Sequence, residues 1–196
     1  MTTAHEHDRQ DVPPAARAAA LERLLMEKGI VDEKLIDAIV DRFTEKVGPR
    51  NGARLVARAW LDPGFKQRLL ADGKAAAAEL GIGGPEGELA VVESSEKLHN
   101  VVVCTLCSCY PWSVLGLPPR WYKSPEYRAR MVREPRTLLR EMGLDLPEDT
   151  EVHVWDSSAE KRYMVLPLRP SATEGLGEDD LAALVTRDSM VGVSRL

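Results

Sequence analysis

The sequence predicts an α+β fold: a helical amino-terminal extension followed by a layered α/β domain with short mixed strands. Apolar residues recur at helical spacing through residues 15–80, and from residue 89 onward short β-branched runs alternate with capped helices. The turn-rich stretch 81–87, with Gly81, Gly83, Gly84, Pro85 and Gly87, divides the two regimes. The organisation expected is a flexible arm over 1–14, a helical extension over 15–80 and an α/β domain over 81–196.

Residues 1–14 are polar and end in Pro13-Pro14, so His5 and His7, beside acidic residues, read as part of a solvated arm. Ala18, Leu21, Leu24 and Leu25 then mark one helical face that stops at Gly29. Asp32 is placed to cap a second helix carrying Leu35, Ile36, Ile39, Val40, Phe43 and Val47, ended by Gly48-Pro49. A third helix runs over 53–61 to the breaker Asp62-Pro63-Gly64, and a fourth over 65–80. Strands are expected at 89–92 and 101–103, the second leading straight into Cys104.

Further on, Ser124-Pro125 reads as an N-cap with Pro at the first helical position, and a short helix over 135–142 ends at Gly143. Residues 152–155 and 163–166 read as strands paired across 156–162, 178–186 as a helix and 190–193 as a last strand.

A chain of 196 residues has room for one main domain. Its net charge of −5, with Lys and Arg dispersed, lacks the basic footprint of a nucleic-acid binder, so no nucleic-acid partner is expected. No apolar run approaches a membrane span and the first residues carry no apolar signal core, so the expectation is a cytoplasmic protein with no membrane partner. Three cysteines, all within 104–109, exclude a distributed disulfide framework and direct attention to metal or thiol chemistry.

The cluster Cys104-Thr105-Leu106-Cys107-Ser108-Cys109 admits several readings. A structural zinc site needs a fourth ligand, for which His99 and His153 are the nearest candidates. An iron–sulfur cluster ordinarily takes four cysteines. A reducible thiol cluster with a sensing role is a further option. In the remaining reading one metal is bound by the three sulfurs and by the backbone amide nitrogens of Ser108 and Cys109, which lie in the small chelate rings between thiolates. Five octahedral positions would be filled and a sixth left for water or substrate, a donor set suited to a trivalent low-spin Lewis acid.

The string Val101-Val102-Val103-Cys104-Thr105-Leu106-Cys107-Ser108-Cys109 resembles the metal claw of nitrile hydratase α subunits. The resemblance continues through Trp112, Leu115-Gly116-Leu117-Pro118-Pro119, Trp121-Tyr122-Lys123, Tyr127-Arg128-Ala129-Arg130 and Val132-Arg133-Glu134-Pro135. It extends to Arg162-Tyr163, Leu166-Pro167, Arg169-Pro170 and Val185-Thr186-Arg187-Asp188, and covers residues 59–193. It implies a nitrile hydratase α-chain-like fold and a hydro-lyase that hydrates a nitrile to its amide. Cys104, Cys107, Ser108 and Cys109 would be the metal ligands, with Cys107 oxidised to sulfinate, Cys109 to sulfenate and Cys104 left a thiolate. Cys107, Ser108 and Cys109 would also be the catalytic residues.

Thr105 after the first cysteine resembles the cobalt type, which implies one cobalt(III) per chain, with iron(III) the alternative. Metal-bound hydroxide, a free water and the sulfenate oxygen of Cys109 all remain open as nucleophile. Trp112 would line the substrate pocket, and Arg162, read on a turn, would face the subunit interface. The resemblance also implies a β subunit, in some relatives split into two chains, and a metallochaperone that loads the metal. Glu86 and Ser113 depart from common family residues, Gln and Pro. Tyr127, Arg128, Arg130, Asp156, Ser157 and Glu160 read as solvated or interface positions, and Trp60 and Trp155 as packing. The metal-bearing subunit of thiocyanate hydrolase shares the cysteine string and is the alternative function; a non-catalytic thiol or metal sensor is the second.

Overall fold

The computed structural model describes residues 12–85 and 87–196. His5, His7 and Glu86 lie outside the described residues, as does most of the expected arm. The chain divides into two compact units, one up to Asp41 and one from Arg42 to Leu196.

The first unit holds two helices. Helix α1 (Pro14–Glu27) starts with Pro14, whose missing N–H costs nothing in a first turn, and no residue of it is buried. After Gly29, at a left-handed φ of 65°, the Asp32 carboxylate accepts a hydrogen bond from Lys34 N (2.9 Å) and opens α2 (Glu33–Asp41). Leu21, Leu24, Ile30, Leu35, Ile39 and Val40 are all exposed, and none of this unit's described residues is buried.

The second unit opens on a π-helical segment, Arg42–Val47, where the sequence predicted a continuation of the preceding helix. Helix α3 (Arg50–Leu61) buries Leu55 and Val56 completely. The single helix expected over 65–80 is two, α4 (Pro63–Ala71) and α5 (Gly73–Glu79). The break follows from Asp72, whose side chain accepts from Ala75 N and starts a new helix, and from Gly73 pressed on the next strand; a Cβ there would lie 2.5 Å from Leu89 O.

Four strands form two parallel pairs: β1 (Glu88–Glu93) with β4 (Lys161–Leu166), and β2 (Leu98–Val103) with β3 (Glu151–Asp156). The expected pairing of 152–155 with 163–166 is thereby corrected. The β2–β3 ladder continues as Ser157 N donates to Val103 O, while Glu88 N donates to Glu160 O and opens the other pair. Only four residues separate the strands, and in them the chain steps from one sheet to the other. Gly87 permits the step, because a Cβ there would sit 2.0 Å from Glu160 O.

Parallel pairing of β2 with β3 requires a long crossover. It contains the cysteine loop, α6 (Trp112–Leu115), α7 (Pro125–Arg133) and α8 (Pro135–Glu141). Ser124 caps α7 as expected, its hydroxyl accepting from Tyr127 N at 3.1 Å. After α9 (Glu178–Leu184), the strand expected over 190–193 is instead helix α10 (Arg187–Val191). A reciprocal capping box between Thr186 and Ser189 and a left-handed Gly192 overrule the β-branched residues there. Helices α4, α5 and α10 pack against the strands, and α3 packs on α6 and α9. Among the described residues no helix is long and apolar enough to cross a membrane.

Candidate metal centre

Strand β2 delivers the first cysteine from the core: Val101, Val102, Val103 and Cys104 are at most 2% exposed. The chain then turns outward, and its turn is pinned by Asp156 at the end of β3. One Asp156 carboxylate oxygen accepts from Thr105 N (2.9 Å) and the other from Thr105 Oγ1 (2.6 Å). The parallel register sets Asp156 opposite Val103, one residue before the loop begins.

The loop folds its sulfurs together. Cys107 Sγ lies 3.4 Å from Cys104 Sγ and 3.1 Å from Cys109 Sγ, and all three sulfurs fall within 4.8 Å of one another. Two side chains hold the loop's carbonyls from outside: Arg128 Nη1 donates to Cys107 O (3.1 Å), and Tyr122 OH donates to Cys109 O (3.0 Å). Tyr122 is fully buried and its neighbour Tyr127 nearly so, with Tyr127 OH donating to Val102 O at 2.7 Å.

Hydrogen bonds from Cys109 and Cys104, joined by the backbone N–H groups of Cys109 and Ser108, bring the Cys107 thiol down to about 7. Burial and the adjoining Cys107 thiolate push Cys109 up to about 12. Three crowded thiols of which one ionises readily form an acceptor-rich pocket that a cation would neutralise. The amides of Ser108 and Cys109 already face the central sulfur. This donor set fits a metal ion held by three sulfurs and two backbone nitrogens.

Among the described residues no fourth ligand, as zinc would take, joins the group. His99 Nε2 lies 2.7 Å from Gly192 O, and His153 stacks on Trp155 at 4.4 Å. Among the described residues the cluster of potential ligands consists of Cys104, Cys107 and Cys109.

Beside the loop lies a cavity of about 720 Å³, counting its open mouth, bordered by Cys107, Ser108, Cys109, Tyr110, Trp112, Phe43, Pro85 and Arg162. Trp112 is one of the residues that border it. Arg162 also reaches the cavity, but from within β4 and not from a turn, because the β1–β4 pairing begins one residue earlier, at Lys161. Its Nη1 donates to Ala159 O (2.9 Å) and its buried Nε has no partner among the described residues.

The sequence reading missed four contributors: Asp156, Arg128, Tyr122 and Phe43. Asp156 and Arg128 read as solvated or interface positions, and only strand register and helix docking turn them toward the loop. Arg130, by contrast, binds Glu126, Glu134 and Glu141 and is structural. Trp60 and Trp155 pack as expected, donating to Pro167 O and Asn100 Oδ1.

The chain matches the family described as nitrile hydratase, alpha chain, over residues 12–194. The chain belongs to the nitrile hydratase α-chain family. It is 56% identical, over 91% of its length and 88% of the relative's, to the cobalt-containing nitrile hydratase subunit alpha of Pseudonocardia thermophila. Identity to the thiocyanate hydrolase subunit gamma of Thiobacillus thioparus is 43%, over 89% of this chain and 76% of that one. Among solved structures, a double mutant of the Fe-type nitrile hydratase of Comamonas testosteroni Ni1 superposes with a TM-score of 0.87 at 47% identity, covering 94% of this chain and 92% of that chain. As a nitrile hydratase α chain it is one subunit of a heteromer, and Cys104, Cys107 and Cys109 are placed so that they could hold a metal ion.

Proposed function

We propose that the chain is the metal-bearing α subunit of a nitrile hydratase of the cobalt type, a hydro-lyase that adds water across a C≡N bond to give the amide. One observation supports this most: three cysteine sulfurs converge within 4.8 Å on a loop whose chain is 56% identical to cobalt-containing α subunits. Sulfurs of Cys104, Cys107 and Cys109 and backbone nitrogens of Ser108 and Cys109 would hold the ion. Bound there, a low-spin trivalent cobalt supplies Lewis acidity toward nitrile and water.

The chain's own groups prepare the site. The Asp156 carboxylate fixes Thr105 and hence the turn between the first two thiolates. Arg128 fixes the peptide between Cys107 and Ser108, and Tyr122 the one after Cys109. Oxidation by dioxygen or peroxide of Cys107 to sulfinate (two oxygens gained) and of Cys109 to sulfenate (one gained) would place anionic oxygens at the cavity mouth, where cations of the β subunit would bind them. A sulfenate oxygen on Cys109 would be positioned to accept the proton of an attacking water or to attack the nitrile carbon itself. Trp112 and its apolar neighbours shield the reacting group from bulk solvent.

The arm over 1–14 and the exposed apolar faces of α1 and α2 are assigned to the β subunit, either one chain or two. A metallochaperone would load the ion before the site closes. The α/β metal-binding catalytic domain then extends to the carboxy terminus from residue 81, supported beneath by α3 to α5.

The test is elemental analysis of the chain co-expressed with its β partner, intact mass of the peptide spanning the loop, and product identification. About one cobalt per chain, three added oxygens across Cys107 and Cys109, and amide from a nitrile are expected. Carbonyl sulfide from thiocyanate would assign the chain to the thiocyanate hydrolase branch. Zinc, or three unmodified thiols in a matured sample, would sink the catalytic reading.

A further inference from the structure

Phe43 was legible in the sequence only as one apolar residue on a helical face. The structure brings it to the cavity beside the cysteine loop, where its ring meets Trp112 edge-to-face at 5.6 Å between centroids and 78° between planes. Its position is determined from three directions. It belongs to the π-helical segment Arg42–Val47, whose wider turn carries side chains away from the places an α-helix would give them. Gly48 N closes that segment on Phe43 O at 3.0 Å. Gly116 then lets the segment press against the helix that bears Trp112: a Cβ on Gly116 would lie 2.7 Å from Phe43 O and 2.8 Å from Gly48 Cα. Gly116 N in turn donates to Trp112 O at 2.9 Å. Backbone and rings thus lock the pair together through two separate contacts.

Given nitrile hydration at this loop, we propose that Phe43 is a specificity-determining residue, forming with Trp112 a rigid apolar wall that selects nitriles bearing an aromatic or similarly flat apolar group. Each ring uses the other for one edge-to-face contact and keeps remaining surface for the cavity, where a flat apolar group gains both burial and quadrupole contacts. Arg162 supplies the charged side chain on the wall outside the loop, and its Nη1 is already engaged by Ala159 O. A small aliphatic nitrile such as acetonitrile leaves most of the wall unfilled. Pro85 faces the same space, adding a further apolar surface.

The experiment compares the metal-loaded complex with its β subunit in wild type, Phe43→Leu and Phe43→Ala. Leucine keeps apolar volume without a flat ring and guards against failed folding. The readouts are kcat/KM for benzonitrile and for acetonitrile, calorimetric Kd for benzamide and for acetamide, and cobalt content. Both variants should retain cobalt and lower the benzonitrile-to-acetonitrile ratio about fivefold to tenfold, with benzamide binding weakened in step. An unchanged ratio, or equal loss for both substrates with benzamide binding intact, overturns the proposal. A cobalt-loaded wild type that hydrates neither nitrile overturns it together with the reading of function, and is told apart because the wild type itself then fails.

Discussion

Asp156 grips Thr105 twice, by its backbone N–H and by its hydroxyl, across 51 residues of sequence. Each of the two carboxylate oxygens is used, so the side chain behaves as a clamp on the turn between Cys104 and Cys107. Asp156→Ala removes both bonds and Asp156→Asn retains one acceptor. Hydrogen bonds to a charged group contribute about 1.5–3 kcal/mol, so loss of the clamp is expected to weaken metal retention by tenfold or more, with the Asn variant intermediate. Cobalt stoichiometry after dialysis against a chelator measures this. Full retention in both variants would show that the loop holds its shape without the clamp.

Arg128 donates to the carbonyl of the peptide whose nitrogen belongs to Ser108, and its buried Nε has no partner among the described residues. Arg128→Met should leave that peptide free to rotate, lowering metal incorporation and shifting the visible sulfur-to-metal absorption of whatever is loaded. Arg128→Lys, which restores one donor without the planar fork, should recover incorporation in part. Identical spectra for wild type and Arg128→Met would remove Arg128 from the site.

His99 is buried on β2 with Nε2 at Gly192 O, and burial lowers its pKa below the ordinary 6.5, offset in part by that hydrogen bond. The unfolded chain therefore binds a proton at a pH where the folded chain does not. Stability present above 6.5 is lost as pH falls from there toward the folded value. Urea midpoints of the metal-free chain should drop between neutral and mildly acidic pH. His99→Gln should flatten the drop, and an equal drop in that variant would place the acid sensitivity elsewhere.

Gly192 ends α10 at φ 89°, and a Cβ there would meet Asn100 O at 2.0 Å. Gly192→Ala is expected to cost at least about 1–2 kcal/mol for the left-handed backbone alone, and more for displacing β2. Because β2 leads into Cys104, thermal midpoint and cobalt content should fall together. A stable variant with full cobalt would show that the two elements move independently.

Local chemistry explains what the sequence made legible. Ser124-Pro125, Gly143 and the run 101–103 have one strong local preference each, and all three appear where expected. The cysteine spacing likewise restricts the sulfurs to one small loop. Non-local choices were hidden. The run 190–193 looks like a strand until Thr186 and Ser189 cap each other, and 152–155 looks like a hairpin arm until β2 takes its hydrogen bonds. Phe43 and Asp156 gained roles from packing and register, which no short window of sequence contains.

The long crossover between β2 and β3 also sets an order of events during synthesis. When the three cysteines have been made, the aspartate that shapes their turn is still dozens of residues from being translated, and so is the strand that carries it. A nascent chain at that stage presents loose thiols open to stray metals and oxidants. On the proposed reading, selective loading would follow the folding of the carboxy-terminal half, and a protein that delivers the ion would meet a nearly finished chain.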